Sequence, residues 1–254
     1  MKTPSSQINS TPIAYEKHIA LAALCSLLLM LVVIIALPLW SLLSKSMQNA
    51  NGNFVGLDNF ITYFSTPVLV QALSNSFSVA IITTMIVVPL AFLYAYGLTR
   101  SCMPFKNMMV GISLLPIFAP SLLSAISLIY LFGNQGFFKT ILGGQSIYGP
   151  IGIIASEVCY CFPHAVMIIA TALRLSDGRL YEMADALGTT RIRKFYTITL
   201  PGARYGLISA AFVVFTLVIT DFGIPKVIGG QFNVLATDAY KQIVGQQNFS
   251  MGAV

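Results

Sequence analysis

Long apolar stretches alternate with polar stretches along the whole chain, and this alternation is its dominant pattern. The first stretch, residues 19–44, contains no charged side chain. A helix needs about 20 apolar residues to cross the hydrocarbon core of a bilayer, so we interpret this stretch as a retained membrane anchor. Further stretches of similar length predict spans at 75–99, 107–132, 151–173 and 206–225. The predicted fold class is therefore all-α, a polytopic bundle of transmembrane helices with five visible spans.

The polar stretches divide the chain into segments of different kinds. Residues 1–17 form a polar tail, 18–44 the anchor, 45–73 a loop, and 74–254 the main transmembrane domain. Within that domain, residues 174–205 form a long polar loop. The last residues bring neither a helix stop signal nor a basic cluster, so we expect that a sixth span follows and that the chain is truncated.

Composition and charge favour a membrane protein over a soluble one. Only 9% of the residues are charged and 56% are hydrophobic, whereas a soluble domain carries about 25% charged residues. The 14 Lys and Arg outnumber the 8 Asp and Glu, but they lie between the apolar stretches rather than in one patch. That distribution is typical of cytoplasmic loops and argues against nucleic-acid binding. With the N-terminus in the cytoplasm, ten basic residues fall inside and four outside, which is a positive-inside bias.

The loop 174–205 carries the signals of a short helix. Ser176 and Asp177 are of the residue types that cap helix N-termini, and the helix is expected to begin near Gly178. Gly188 is placed to end it as a left-handed cap. Apolar residues recur between these points at three- and four-residue spacing, which gives the helix one apolar face. The residues of this face are Leu180, Met183, Ala184 and Leu187.

A second short helix is predicted after the turn. Thr189 or Thr190 caps it, and it runs through Phe195. Pro201 and Gly202 are expected to break the chain before the next span. The result is a helix, a turn and a helix outside the membrane, with an apolar face and charges around it. Such an arrangement suits docking into a groove of a partner protein.

The spacing in this loop also points to a known family. Glu182-x-Ala184-x-x-x-Gly188, nine residues and then Ile-x-Leu-Pro resembles the EAA loop of binding-protein-dependent ABC importer permeases, with Met183 in place of the first Ala. The resemblance extends over roughly 75–254 and implies the type I helical bundle of an ABC importer permease. The residues that match the loop pattern or lie in its helix are Glu182, Ala184, Asp185, Gly188, Ile198, Leu200 and Pro201.

The resemblance implies a role for the loop. The helix from Glu182 to Gly188 would sit in a cleft of a cytoplasmic ATPase dimer, whose closure on ATP would rock the spans. Glu182 would pair with a basic residue of the ATPase or of this loop, and Gly188 would permit a sharp turn. Because the chain lacks a Gly-x-x-x-x-Gly-Lys-Ser/Thr phosphate loop, the separate ATPase would use the ATP. The chain itself is then expected to be neither an enzyme nor the holder of a cofactor.

Further partners and a location follow from the same resemblance. The partners are a periplasmic substrate-binding protein, a second permease domain or subunit and the lipid bilayer, with no nucleic acid. The location is the bacterial inner membrane, with the N-terminus in the cytoplasm and 45–73 in the periplasm. A secondary transporter would show inverted or parallel repeats, and none is visible. An intramembrane enzyme would need a nucleophile and base or a metal pair such as His-Glu-x-x-His, and the chain has only 2 His.

Polar residues inside the predicted spans are a second group of candidates, because an ionisable side chain in a membrane is costly unless it is paired or wet. Glu157, Cys161 and His164 are spaced to lie on one helical face. Three readings stay open: these side chains pair within the bundle, line the substrate path or ligate a metal. Asp221, near the end of the last span, is either a further residue of the path or an interfacial residue.

The residues after Asp221 bear on the substrate through resemblance only. Asp-Phe-Gly-Ile-Pro at 221–225 and Thr-Asp-Ala-Tyr at 237–240 resemble the branch that contains ferric-iron and 2-aminoethylphosphonate permeases, with polyamine and sulfate permeases as near relatives. The resemblance implies a phosphonate such as 2-aminoethylphosphonate first and ferric iron second. Nothing in the predicted spans selects either compound chemically.

Overall fold

The computed structural model describes residues 14–101, 103–143 and 145–254. Within these residues every regular element is helical, apart from one isolated β-bridge. Four helices are long and apolar enough to cross a membrane, and a bent pair makes a fifth span if it is counted as one. The predicted all-α fold with five spans is confirmed on that count.

In chain order the α-helices are α1 (Ala14–Ser46), α2 (Asp58–Ser65), α3 (Pro67–Arg100), α4 (Lys106–Leu114), α5 (Ser121–Phe132), α6 (Pro150–Leu175), α7 (Arg179–Ala186), α8 (Arg191–Lys194), α9 (Leu200–Thr220), α10 (Gly223–Ile228), α11 (Leu235–Tyr240) and α12 (Phe249–Gly252).

Among the described residues, one compact unit consists of residues 14–61 and Asn248–Val254. Its main element is α1, whose side chains are exposed from residue 17 to residue 43. A helix that is apolar all round and exposed over this length is what a lipid-covered anchor requires, and α1 contains the predicted anchor 18–44. The chain after α1 is fixed by Asn59, whose side-chain amide donates to the carbonyl oxygens of Ser46 at 2.7 Å and Gln48 at 2.9 Å.

The other compact unit is Thr62–Gln247, and α3, α6 and α9 form its centre. These three helices pack against one another through small residues, which let helix backbones approach closely. A Cβ atom added at Gly206 of α9 would lie 2.3 Å from the Cβ atom of Ala172 on α6, so glycine is required at this crossing. The fully buried alanines at the centre are Ala80, Ala91 and Ala95 of α3, Ala165 of α6, and Ala203 and Ala210 of α9.

The second span begins earlier than the apolar pattern indicates. It was expected at 75–99, but α3 begins at Pro67. Proline is favoured in the first turn of a helix, where its missing N–H is not needed, and Leu69 and Ala72 are already buried in these first turns. The polar stretch 45–73 therefore contains α2 and the start of α3 rather than loop alone.

The third predicted span, 107–132, is not one straight helix. Lys106–Phe118 and Ser121–Phe132 meet at an angle of 102°. Pro116 lies in the 3₁₀ turn that follows α4, and Pro120 is the N-cap of α5. Each proline removes a backbone donor and disfavours a helical residue before it. The sharp bend follows from both prolines together, whereas the apolar composition alone suggested continuity.

The last span lies a few residues earlier in the chain than the predicted 206–225. The helix α9 runs from Leu200 to Thr220 and ends at Asp221, whose carboxylate accepts the backbone N–H of Ile224 at 2.8 Å. The short helix α10 then begins as a separate element. The segment that follows is tied to α3, because Ser76 accepts the backbone N–H of Leu235 at 2.7 Å.

Candidate functional site

The helix α7 forms where the capping residues predict it, but only one of the two predicted caps serves it. The carboxylate of Asp177 accepts the backbone N–H of Arg179 at 2.9 Å, while Ser176 is the C-cap of the preceding span α6 and has no capping role in α7. Gly188 adopts a left-handed backbone with φ of +64°. The backbone N–H of Thr189 donates to the carbonyl of Ala184 at 2.9 Å, which closes the helix end. The predicted start and stop of this helix are thus confirmed in their main features.

The apolar residues of α7 do not all face the same way. Ala184 is buried against the rest of the unit. Leu180, Met183 and Leu187 are turned outward, with 47%, 61% and 80% of their surface exposed. We call these three residues the apolar strip of α7. A contiguous exposed apolar strip on a polar segment is typical of a surface that contacts another protein or a membrane.

The charged residues of α7 differ in their partners. Asp185 forms an ion pair with Lys194 of α8, which joins the two short helices. Glu182 is exposed, and its side-chain carboxylate makes no hydrogen bond or ion pair with any residue that the structure describes. The sequence predicted that Glu182 pairs with a basic residue of this loop or of a partner, and the loop pairing is formed by Asp185 instead.

The second helix of the segment continues into the next span. Thr190 caps α8, with its hydroxyl accepting the backbone N–H of Arg193 at 3.4 Å. A π-helical segment, Phe195–Thr199, then joins α8 to α9, and the helix runs on through Pro201. The predicted break at Pro201 and Gly202 is therefore wrong. In the wider π turn, the backbone N–H of Leu200 donates to the carbonyl of Phe195. Pro201, which has no backbone N–H, can then follow and the helix continues.

The π-helical segment is held against the bundle by an aromatic contact. The ring of Phe195 lies 5.8 Å from that of Phe92 and 6.0 Å from that of Tyr96, both on α3. Ile198 and Leu200 are half-buried beside it, and Pro201 is exposed. The matching Ile-x-Leu-Pro residues thus belong to the junction between segment and span rather than to its outward surface.

Glu157 lies at the centre of the bundle and is completely buried. Its carboxyl oxygen Oε2 accepts a weak hydrogen bond from the thiol of Cys161 at 3.9 Å. The other oxygen, Oε1, has no hydrogen-bond partner in the described part of the chain. A buried polar atom without a partner is rare and unfavourable, so this carboxyl group is exceptional in the core.

His164 and Asp221 do not join Glu157 in one cluster. The Nδ1 atom of His164 lies 3.2 Å from the carbonyl oxygen of Tyr160, one turn earlier on α6. The Oδ1 atom of Asp221 accepts the hydroxyl hydrogen of Ser121 at 2.6 Å, which links the end of α9 to α5. The carboxyl groups of Asp221 and Glu157 are near enough to interact electrostatically. Of the predicted polar residues, the structure therefore places Cys161 in contact with Glu157, whereas Asp221 bonds to Ser121 and His164 has a local contact.

Several residues that attach α7 to the bundle were missed by the sequence reasoning. Tyr181 of α7 contacts Arg100 of α3 and Thr199 of the π-helical segment. No local pattern marks such contacts, because the partners come from distant parts of the chain. The conspicuous signal would have been a single tyrosine on the polar side of a short amphipathic helix.

Comparison with known proteins identifies the family. The sequence model of the family described as binding-protein-dependent transport system inner membrane component matches residues 87–254. The chain belongs to this family. The match contains α6 and α9, the segment with α7 and α8, and the polar residues at the bundle centre.

Named relatives of this permease family differ in the compounds that their names give. A spermidine/putrescine transport system permease protein PotC homolog of Mycoplasma genitalium is 30% identical over 179 residues, which are 70% of this chain and 60% of that protein. A putative ferric transport system permease protein FbpB 1 of Haemophilus influenzae is 28% identical over 200 residues, or 72% of this chain and 32% of that protein. A molybdenum transport system permease protein ModB of the same organism is 28% identical over 158 residues, or 61% of this chain and 69% of that protein. The chain therefore spans less than two thirds of the first of these relatives.

Solved structures support the fold of the family. A chain from the crystal structure of a bacterial alginate ABC transporter in complex with an alginate pentasaccharide-bound periplasmic protein matches with a TM-score of 0.76 and 17% identity. The match covers 94% of this chain and 88% of that one. At this identity the likeness concerns the fold alone, and it agrees with the helical bundle described above.

Proposed function

We propose that the chain is a permease subunit of an ATP-driven importer of the bacterial inner membrane. The observation that carries this proposal is the apolar strip of α7, exposed between Gly178 and Gly188 in the register of the family loop. An exposed strip on a short helix suits a groove in a partner protein. The helix would dock into a cleft of a cytoplasmic ATPase, and the unpaired Glu182 would meet a basic residue there.

The proposed assembly distributes the work among several proteins. An ATPase dimer hydrolyses ATP, a periplasmic binding protein delivers the substrate, and a second permease domain or subunit completes the path. This chain then carries out no catalysis of its own. Its proposed organisation has a cytoplasmic tail at 1–17, the anchor 18–44, a periplasmic segment 45–73 and the permease domain 74–254, with the 174–205 segment in the cytoplasm.

The substrate path is proposed to include the polar residues of the bundle. Glu157 is the principal candidate, because a buried carboxyl oxygen without a partner is retained at a cost to stability. Asp221 lies near it and is partly exposed, and His164 is half-buried further along α6. Movement of the spans during transport would expose Glu157, which is enclosed in the present conformation.

We propose a polyamine as the first substrate class to test. This choice is supported by the spermidine and putrescine in the name of the Mycoplasma genitalium relative and by the acidic character of Glu157 and Asp221, which suits a cationic amine. The phosphonate hypothesis, 2-aminoethylphosphonate, shares the cationic amine and stays a prediction. Ferric iron, molybdate and sulfate are the other compounds to compare, since the names of relatives include iron, molybdenum and sulfate.

Docking can be tested by co-purification with the ATPase subunit of the same import system. Leu187→Glu places a charge in the apolar strip and should reduce the recovered ATPase about tenfold or more, as loss of a buried interface anchor does. Phe54→Glu is the matched control, because Phe54 is also highly exposed and apolar but lies in the segment proposed to be periplasmic. Undiminished ATPase recovery with Leu187→Glu would refute docking through this strip. A reporter fused after Lys194 that reads as periplasmic would refute the proposed topology.

Substrate class can be tested by uptake into cells that carry the complete system. Radiolabelled spermidine should accumulate in an ATP-dependent manner, and unlabelled putrescine should compete. Competition by 2-aminoethylphosphonate or ferric citrate instead of putrescine would transfer the assignment to those compounds. Uptake that persists without the ATPase would contradict the ABC importer itself.

A further inference from the structure

Arg100, the last residue of α3, joins the ends of two spans. Its guanidinium Nη2 donates to the carbonyl oxygen of Leu173 at 2.7 Å and to that of Ser176 at 3.4 Å. These carbonyls belong to the C-terminal end of α6, where cations are favoured by the helix dipole and by the free carbonyl groups. A second nitrogen of the guanidinium, Nε, is buried without a hydrogen-bond partner in the described part of the chain. The guanidinium is therefore held in one position by α6 and by what lies over its face.

The group that lies over that face is the ring of Tyr181 on α7. The Cζ atom of Arg100 is 4.3 Å from the centroid of this ring, which is a cation–π contact. Such contacts are stronger when water is excluded, as the buried Nε atom of Arg100 indicates. α7 is thereby attached to α3, and through Arg100 to the end of α6.

The hydroxyl group of Tyr181 makes the third connection. It lies 2.8 Å from the hydroxyl of Thr199, a buried residue of the π-helical segment that leads into α9. One side chain on a short exposed helix thus contacts α3 and the segment that leads into α9 directly, and it reaches the end of α6 through Arg100. The other polar tie of α7, the ion pair between Asp185 and Lys194, joins only the two short helices, and its Asp185 side chain is largely exposed.

We propose that Tyr181, seated on Arg100 and bonded to Thr199, is a positioning residue that makes the ends of α3, α6 and α9 follow any displacement of α7. This inference rests on the proposed function, in which an ATPase moves α7. The apolar strip binds the partner, whereas Tyr181, on the opposite side of the helix, transmits the movement inward. Coupled movement requires a tie between separate elements, and the partly buried Tyr181 contacts provide one.

The chain provides a matched control for this arrangement. Arg204 lies over the ring of Tyr205 at 4.5 Å, and its Nη2 donates to the Tyr205 hydroxyl at 2.8 Å. Both residues are neighbours on α9 and are exposed, so this pair joins no separate elements. Changes at Tyr205 remove the same kinds of contact as changes at Tyr181 but break no tie between helices.

The first experiment measures amide hydrogen exchange of the whole chain in lipid nanodiscs. Tyr181→Leu should speed exchange in 179–186 about tenfold, since it removes a partly buried cation–π contact and a hydrogen bond. Tyr205→Leu should leave that region unchanged, and Tyr181→Phe, which keeps the ring, should give a smaller increase. If residues 179–186 of Tyr181→Leu exchange at the same rate as in wild type, the proposal is overturned. If Tyr181→Leu does not fold, Tyr181→Phe and Arg100→Lys, which loses the planar fork, serve in its place.

The second experiment repeats the measurement with the ATPase bound and trapped with ADP and vanadate. In wild type the change in exchange should spread from α7 to the end of α3, residues 96–101. In Tyr181→Leu it should stay confined to α7, and Tyr205→Leu should behave as wild type. An equal spread in Tyr181→Leu would overturn the proposal, and so would loss of ATPase binding, which would make Tyr181 a docking residue. If wild type binds no ATPase, the proposed function fails, while the first experiment still decides whether Tyr181 holds α7.

Discussion

The sequence singles out residues in two regions, the segment around α7 and the centre of α6. The first region exposes apolar side chains, and the second buries a polar one, so each departs from the usual distribution in the opposite way. In the segment, apolar side chains such as Met183 and Leu187 are exposed while hydrogen bonds to Asp177 and Thr190 serve only to shape the helices. In α6, the carboxyl group of Glu157 is completely buried. Each departure lowers the stability of the isolated chain, in one case by exposing apolar surface and in the other by burying a polar atom.

The difference indicates where each region finds its compensation. An exposed apolar strip is stabilised when another protein covers it, so its function lies outside the chain. A buried carboxyl group is stabilised only by a change within the membrane bundle or by a bound cation, so its function belongs to the movement of the spans. This comparison supports the proposals that the segment docks to a partner and that Glu157 serves the moving bundle. Tyr181 and Arg100 lie between the two regions.

The largest effect is expected where the segment meets the bundle. In Gly206→Ala the new Cβ atom would lie 2.3 Å from that of Ala172, so α6 and α9 must separate. Overpacking of this kind costs about 1–3 kcal/mol. In Gly97→Ala on α3, where no atom lies within 4 Å of the new Cβ, stability should instead rise by up to about 1 kcal/mol. Thermal unfolding in detergent measures the stability of both variants. Equal unfolding temperatures would show that α6 and α9 are not closely packed at Gly206.

The second prediction concerns the turn that presents the strip. Gly188→Val places a β-branched residue at φ of +64°, which costs about 1–2 kcal/mol, so the end of α7 should be displaced. ATP hydrolysis should continue while uptake falls about tenfold, and the protein should remain in the membrane. Gly178→Ala, at the other end of the helix with an ordinary helical backbone, is the control and should transport normally. Normal uptake in Gly188→Val would show that the presentation of the strip is unimportant.

Gly188 and Gly206 also show what the sequence alone could predict. Gly188 is marked by local signals, because capping residues, apolar spacing and a glycine lie within a few positions of one another. The importance of Gly206 depends on its distance from Ala172, and the tie of Tyr181 depends on Arg100, so neither leaves a local pattern. Pro201 gave a misleading signal, since the π-helical turn before it absorbs the missing backbone donor. Local chemistry was therefore predictable, whereas contacts between distant helices were not.

The third prediction tests the other half of the comparison. Glu157→Met replaces the buried carboxyl by an apolar side chain of similar size, so stability should stay equal or rise, because an unpaired buried polar atom is removed. Uptake should nevertheless fall severalfold if Glu157 serves the moving bundle. Ser156→Ala is the neighbouring control: its hydroxyl bonds only within α6, to the carbonyl of Gly152 at 2.8 Å, and uptake should persist. Full uptake by a stable Glu157→Met would assign this residue to packing alone.

The smallest effect is expected from the ion pair between the two short helices. Asp185→Asn removes the charge that faces Lys194, but the side chain of Asp185 is 67% exposed, and exposed pairs contribute only about 0.2–1 kcal/mol. Thermal unfolding should therefore shift very little, less than in Gly188→Val, and the small shift should vanish at high salt because the charges are screened. Uptake should stay within about twofold of wild type on this estimate. A large loss of uptake without loss of stability would show that Asp185 contacts the partner, and would extend the docking surface from the apolar strip to the charged side of α7.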